Sequence, residues 1–242
     1  MNHKLHIYEN AESVSRAVAE LIKDKAVSKA SESKKLNIAV SGGSTPKQLF
    51  KLLAEEYEQI IPWKTVRLFW VDERCVEPTH PESNFGMTYD ALLQNSFIPG
   101  ENIYRILGEE IPDNEAKRYQ KLLRNELPAK DGFPVFDLIL LGMGDDGHTA
   151  SIFPNDMNLL DSEFSVGVGV HPVSGQKRIT LTGTTINNAK QLVFLITGEN
   201  KAEIIKQIIK QEQIAAKYPA SHVHDAAGNA DFYLDQAAAS KL

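Results

Sequence analysis

Leu138-Ile-Leu-Leu-Gly-Met-Gly-Asp-Asp-Gly-His148-Thr-Ala-Ser-Ile-Phe-Pro154 is the stretch on which the reading of this chain turns. An apolar run, Phe136 to Leu141, gives way within seven residues to three glycines, two aspartates and a histidine. A continuous apolar run of this length reads as a strand buried on both faces, as in a parallel sheet covered by helices. The polar residues then form a loop at that strand's carboxyl end, where open α/β sheets hold their ligands. An imidazole beside carboxylates at such a place is a candidate proton-transfer group near neutral pH.

Working outward, the same alternation of apolar runs and helical stripes recurs along the chain. Strands are predicted at Lys4–Tyr8, Leu36–Val40, Val66–Val71, Asn102–Ile106, Val166–Val170, Arg178–Thr182, Gln191–Thr197 and Phe232–Leu234. Helices are predicted from Ala11 to about Lys29, Pro46 to about Glu56, Ser83 to Gln94, Asn114 to Leu127 and Lys201 to Lys210. An irregular segment is expected from Asp72 to Pro81, and a small Ala-rich helix at the C-terminus. Strands alternating with helices imply a doubly wound, mostly parallel sheet with helices on both faces, a modified Rossmann-like α/β fold. No Gly/Ser/Pro-rich linker or shift of composition divides the 242 residues, so one domain is expected over 1–242.

Composition narrows the function classes. At 42% hydrophobic and 24% charged, the chain is ordinary for a globular protein. A net charge of −6 argues against nucleic acid or an anionic membrane as partner, but leaves room for a small anionic substrate held by a few cations. The single cysteine, Cys75, excludes an internal disulfide and suits a reducing compartment. Its neighbour Arg74 would lower a thiol pKa, yet a lone cysteine more often serves as an inert small residue. The N-terminus lacks the apolar core of a signal peptide and no apolar stretch reaches membrane-spanning length, so a cytoplasmic location is expected.

Gly142-x-Gly144-x-x-Gly147 matches the spacing of a dinucleotide fingerprint. Two aspartates would then face the phosphates, and Pro154 would sit inside the following helix at a cost of about 3 kcal/mol. That reading is rejected. A second loop, Val40-Ser-Gly-Gly-Ser-Thr-Pro46, joins a strand to a helix, with Thr45 suited to the N-cap and Pro46 to the first helical position. Gly42, Gly43, Ser44 and Thr45 thus form a candidate anion cradle at a helix start, without the Lys of a nucleotide P-loop. Asp72-Glu73-Arg74 closes another strand and offers a planar guanidinium for phosphate or carboxylate oxygens. Ser83 and Asn84 open the next helix. His222-x-His224 has the spacing of a metal pair without a clear third ligand and reads as a solvated loop.

Taken together, Ser41–Pro46, Asp72–Arg74 with Glu82-Ser-Asn84, and Gly142–Pro154 resemble the 6-phosphogluconolactonases, whose superfamily also holds glucosamine-6-phosphate deaminases. Arg178–Thr182, Gly198–Lys201 and Pro219–Ser221 extend the resemblance, in the family's order, over nearly the whole chain. The resemblance implies hydrolysis of 6-phospho-D-glucono-1,5-lactone, a small sugar-phosphate substrate, with no metal and no cofactor. By position, His148 resembles the base that activates water. Asp146 or Asp72 would steady the imidazolium. Arg74, Asn84, Arg178, Lys201 and the Gly42–Thr45 loop resemble the groups that bind the phosphate and polarise the lactone. Phe232-Tyr233 departs from a tryptophan common in the family, at a packing position. The amino-sugar deaminases are the nearer rival, but the resemblance implies Asp-Glu-Tyr and Asn-Glu-Pro in them, where this chain has Asp72-Glu73-Arg74 and Ser151-Ile-Phe-Pro154. A silent sugar-phosphate sensor is the other, and no spare length remains for a DNA-binding module. A monomer or weak homo-oligomer is expected.

Overall fold

Every residue of Leu36–Val40, Leu138–Leu141 and Leu192–Ile196 is buried. Successive strand residues point to opposite faces, so strands buried throughout are covered on both sides. The computed structural model describes residues 2–242. Its chain begins with β1 (Asn2–Tyr8) and α1 (Ala11–Ser31), the helix capped by the Asn10 side chain, which accepts the Ser13 N–H at 2.9 Å. Then follow β2 (Leu36–Val40), α2 (Ser44–Glu56), β3 (Val66–Trp70), β4 (Asp72–Arg74), α3 (Asn84–Ala91) and β5 (Ile103–Tyr104). Helix α4 (Pro112–Glu126) and a small hairpin, β6 (Ala129–Lys130) and β7 (Phe133–Pro134), lead into β8 (Leu138–Leu141). The last part runs β9 (Val166–Val170), β10 (Lys177–Leu181), α5 (Gly183–Ile186), β11 (Leu192–Ile196), α6 (Ala202–Ile209) and β12 (Asn229–Asp235).

Seven strands form one parallel sheet in the order β1-β12-β11-β8-β2-β3-β5. The order reverses direction beside β2 and β8, so the loops after these two strands flank a topological crevice. The core runs along both faces: α1 buries Val14, Val18, Ala19, Ile22 and Ala26, the helical stripe its sequence announces. Phe194 and Phe232 stack with ring centroids 4.7 Å apart on adjacent β11 and β12. Phe232 thereby fills its place by packing. Among the described residues no helix is long and apolar enough to cross a membrane.

Several expectations need correction. The segment from Asp72 is not irregular at its start. Asp72–Arg74 forms β4, which pairs antiparallel with β10, itself paired with β9, in a separate three-stranded sheet. Helix α2 starts at Ser44, with Gly43 at the N-cap (φ 111°), so Thr45 and Pro46 lie inside the first turn rather than at the cap and first position. Helix α3 stops at Ala91 and gives way to a 3-10 turn at Leu93–Asn95. The Ala-rich tail is a run of turns rather than a helix, because Asp235 accepts the Ala238 N–H at 2.7 Å and the segment is too short to propagate helix.

Candidate active site

The loops after β2, β3, β8 and β11 meet at a cleft of about 360 Å³. Every residue nominated from the sequence lines it except Asp146, which stands behind His148. The β2 loop is tied in place on two sides. Ser41 Oγ donates to the Leu140 carbonyl at 2.9 Å, and the Thr45 and Thr197 hydroxyls lie 3.0 Å apart. No side chain caps α2, so N–H groups of its first turn remain available at the cleft, with the helix's partial positive charge behind them. Gly42 has a steric reason: a Cβ there would lie 1.8 Å from Asn84 Oδ1.

β4 explains the Asp-Glu-Arg motif. On a strand, alternate residues share a face, so Asp72 and Arg74 line the cleft while Glu73 turns inward. Burial pushes the Glu73 carboxyl above its ordinary range, opposed by main-chain N–H donors from Phe85, Asn84 and Arg74 at 2.7, 2.7 and 2.8 Å. Ser83 Oγ adds a fourth hydrogen bond at 3.1 Å. Glu73 therefore pins the start of α3 to β4 and holds Asn84 at the cleft. Asn84 Nδ2 donates to the Asp72 carbonyl (2.9 Å) and to Asp72 Oδ1 (3.2 Å). The other Asp72 oxygen accepts the buried Ser151 hydroxyl at 2.6 Å. Ser151 is thus committed to a structural bond.

Arg74 and Arg178 are direct cross-strand partners on β4 and β10. Like charges so placed repel one another, and burial followed by the Arg74 charge lowers the Arg178 pKa. Arg74 Nη1 donates to the Glu82 carbonyl, while its buried Nε has no partner among the described residues. Arg178 Nε reaches Gln176 Oε1 at 3.3 Å, and its guanidinium lies 5.5 Å from the Phe153 ring centre. The pair makes a local positive field in a chain of net charge −6, which suits an anionic ligand.

His148 Nδ1 and Asp146 Oδ1 are 2.6 Å apart, and the same oxygen accepts the His148 main-chain N–H at 3.1 Å. Asp146, and not Asp72, is therefore the carboxylate that meets the imidazole. Burial works to raise the Asp146 pKa, but the two hydrogen bonds and the imidazolium charge hold it down at about 2. With Nδ1 engaged, His148 lines the cleft, and its ring packs on Phe153 at a centroid distance of 4.8 Å. Phe153 thus supports both His148 and Arg178. Gly144 backs the pair so closely that a Cβ would sit 2.1 Å from His148 Nδ1. Gly147 takes φ 79° against the Tyr218 ring, and Ala150 is held at φ 52°, an uncommon conformation for a residue with a Cβ. No long helix follows this loop, only a Thr149–Ile152 bridge and a 3-10 turn at Met157–Leu159, in keeping with rejection of the dinucleotide reading.

Lys201 enters the cleft from the β11 loop but is ion-paired to Asp145, which also accepts the Asn200 amide at 2.8 Å. Lys201 is the first cause of a lowered Asp145 pKa. Neither this latch nor the roles of Glu73, Ser151 and Phe153 are readable from the sequence. Glu73 sits inside Asp72–Arg74, and Ser151 and Phe153 inside Gly142–Pro154, so their neighbours' roles are the available signal. His222 and His224 do not meet: their ring nitrogens face the carbonyls of Ala216 and Asp225 at 2.9 and 2.7 Å. Cys75 is half-buried, and burial pushes its thiol up to about 11, against the lowering expected from Arg74.

Comparison with known proteins gives the family. A family model described as glucosamine-6-phosphate isomerases/6-phosphogluconolactonase matches residues 9–232. A 6-phosphogluconolactonase of Haemophilus influenzae is 45% identical over 208 residues, 86% of this chain and 88% of that protein. One of Treponema pallidum is 42% identical over 205 residues, covering 85% and 83%. A crystal structure described as devB protein superposes with a TM-score of 0.92 at 40% identity, covering 100% of this chain and 99% of that one. The chain belongs to the glucosamine-6-phosphate isomerase/6-phosphogluconolactonase family.

Proposed function

We propose that this protein hydrolyses 6-phospho-D-glucono-1,5-lactone to 6-phospho-D-gluconate, the second step of the oxidative pentose phosphate pathway, with His148 activating the water. The observation that carries the reading is an imidazole held by Asp146 on one nitrogen and lining a cleft that also holds two adjacent arginines. Water attacks the lactone carbonyl carbon as His148 takes its proton. The carbonyl oxygen gains charge, which cations or N–H groups of the cleft offset, each such donor worth about 3 kcal/mol. Collapse breaks the bond to the ring oxygen, and the imidazolium returns the proton to that oxygen. Asp146 steadies the imidazolium in between.

The remote phosphate supplies binding energy for orientation. Arg74, Arg178, Lys201, Asn84 and the Gly42–Thr45 turn share the holding of the phosphate and the polarising of the lactone, and Asp72 positions Asn84. Each charge that develops meets a side chain or an amide, so the reading routes no step through a metal. It treats residues 1–242 as one lactonase domain, acting in the cytoplasm as a monomer or weak homo-oligomer; the lone cysteine supports a reducing location.

Against amino-sugar deamination, Arg74 occupies the place of a tyrosine and cannot act as a base. The test is a coupled assay on freshly generated lactone, corrected for spontaneous hydrolysis, with glucosamine 6-phosphate run in parallel. Lactone turnover lost in His148→Ala, with 6-phosphogluconate still bound, is the expected result. Turnover unchanged in that variant, or faster turnover of the amino sugar by the parent, overturns the reading.

A further inference from the structure

At the opposite end of the central strands, where β2, β8 and β11 begin, α1 and the strand starts line a second, open cavity of about 370 Å³. Lys25, Lys29 and Lys190 line it. Lys29 Nζ and Lys190 Nζ both donate to one oxygen of the buried Asp137, at 2.7 and 2.8 Å. The other oxygen accepts the Asn37 main-chain N–H at 3.0 Å. Asp137 therefore holds two ammonium groups and an amide, and Lys25 is not hydrogen-bonded to it. Lys25 makes no hydrogen bond or ion pair among the described residues, although it is half-buried. Burial pushes its ammonium below the ordinary lysine range, with the Asp137 charge opposing. Asp24 does not compensate it, being exposed and 3.4 Å from Lys23 instead. Ser28 lies one turn further along α1 on the same wall, with its hydroxyl unengaged among the described residues.

An unpaired cation held in a cavity costs free energy that a bound anion would remove. Here three ammonium groups line the cavity with two carboxylates, the committed Asp137 and the exposed Asp24, a small local surplus in a protein of net charge −6. Lysines act on phosphate as compact point charges, and a hydroxyl adds a directed donor.

We propose that this cavity is a second anion site, taking a phosphoryl dianion between Lys25 and Lys190 with Ser28 as a further donor. Its volume admits inorganic phosphate or the phosphate end of a small ester. It shares no residue with the cleft at the carboxyl ends of the strands.

The test is a titration of isotope-labelled protein with inorganic phosphate, and separately with glucose 6-phosphate, at fixed ionic strength. Amide shifts at Lys25, Ser28, Asn37 and Lys190 should saturate apart from those at Gly42–Thr45 and His148. K25Q should weaken the first set by about tenfold or more, and leave the second set and lactone turnover as they were. R178A should weaken the second set alone. The two ligands separate free phosphate from an ester as the better fit. K25Q loses no native bond, so its melting temperature without phosphate should be unchanged or higher; a fall would show that Lys25 serves the fold, against the proposal. Shifts of the first set that fail to saturate below about 20 mM of either ligand, or that keep wild-type affinity in K25Q, overturn it.

Discussion

Asp146→Asn isolates a charge from a geometry. Both hydrogen bonds that His148 makes to Asp146 end on the same oxygen, Oδ1. An asparagine can keep that oxygen in place as acceptor and put its amide where Oδ2 stood, so the ring keeps its orientation and its Nδ1–H tautomer. Only the negative charge is lost. Two unit charges about 4 Å apart interact by about 4 kcal/mol at an effective dielectric near 20. The Asp146 side chain is 43% exposed, so solvent screening reduces this by half, to about 2 kcal/mol. As that interaction appears only when the imidazole gains a proton in the transition state, the loss belongs in kcat, about 30-fold, with KM little changed. Asp146→Ala removes the acceptor as well and should cost more. The assay is steady-state lactone hydrolysis with the spontaneous rate subtracted. Asparagine and alanine variants both within twofold of the parent would refute the charge argument. An asparagine variant as inactive as His148→Ala would refute the single-oxygen geometry.

Arg178→Ala should raise KM for the phosphorylated lactone by about 10- to 100-fold, the loss of a charge-assisted bond. It should scarcely affect unphosphorylated gluconolactone, and a parent enzyme that does not distinguish the two lactones contradicts the assignment. Gly144→Ala would place a Cβ 2.1 Å from His148 Nδ1, so the ring must move. We expect about a 100-fold fall in turnover with circular dichroism unchanged. On pH, Asp146 lies at about 2 in the fold against an ordinary 3.8, so its stabilising contribution is present above pH 4 and lost as pH falls towards 2. Asp137, also lowered, acts with the same sign. Calorimetry should show a shallower acid loss of melting temperature over that window in Asp146→Asn.

Legibility in the sequence followed how local each determinant is. The strands Leu36–Val40 and Leu138–Leu141 were readable because burial on both faces leaves an unbroken apolar signature. His148 and the Gly42–Thr45 turn were readable because strand ends in such sheets are where ligands sit. Strand β4 was not, since three polar residues gain their order from a partner at Arg178, about a hundred residues later. The same distance hid the placing of Arg74 beside Arg178. Asp145 read only as a neighbour of Asp146, because its ion pair with Lys201 exists only after β8 and β11 come together. The choice between Asp72 and Asp146 was open until side-chain geometry gave Asp72 to Ser151 and Asn84.

The place of β1 at the sheet edge bears on how the protein is made. Among the described residues its one neighbour is β12, in register from Asn2 opposite Asn229 to Tyr8 opposite Asp235. Roughly 220 residues separate the two strands, which a ribosome adds in about ten to forty seconds. Throughout that interval β1 has no mate, with Leu5 and Ile7 on its surface. A nascent chain stalled before Asn229 would carry an open apolar ribbon able to join its counterpart on a neighbouring ribosome, so yield in the cell depends on how quickly translation delivers β12.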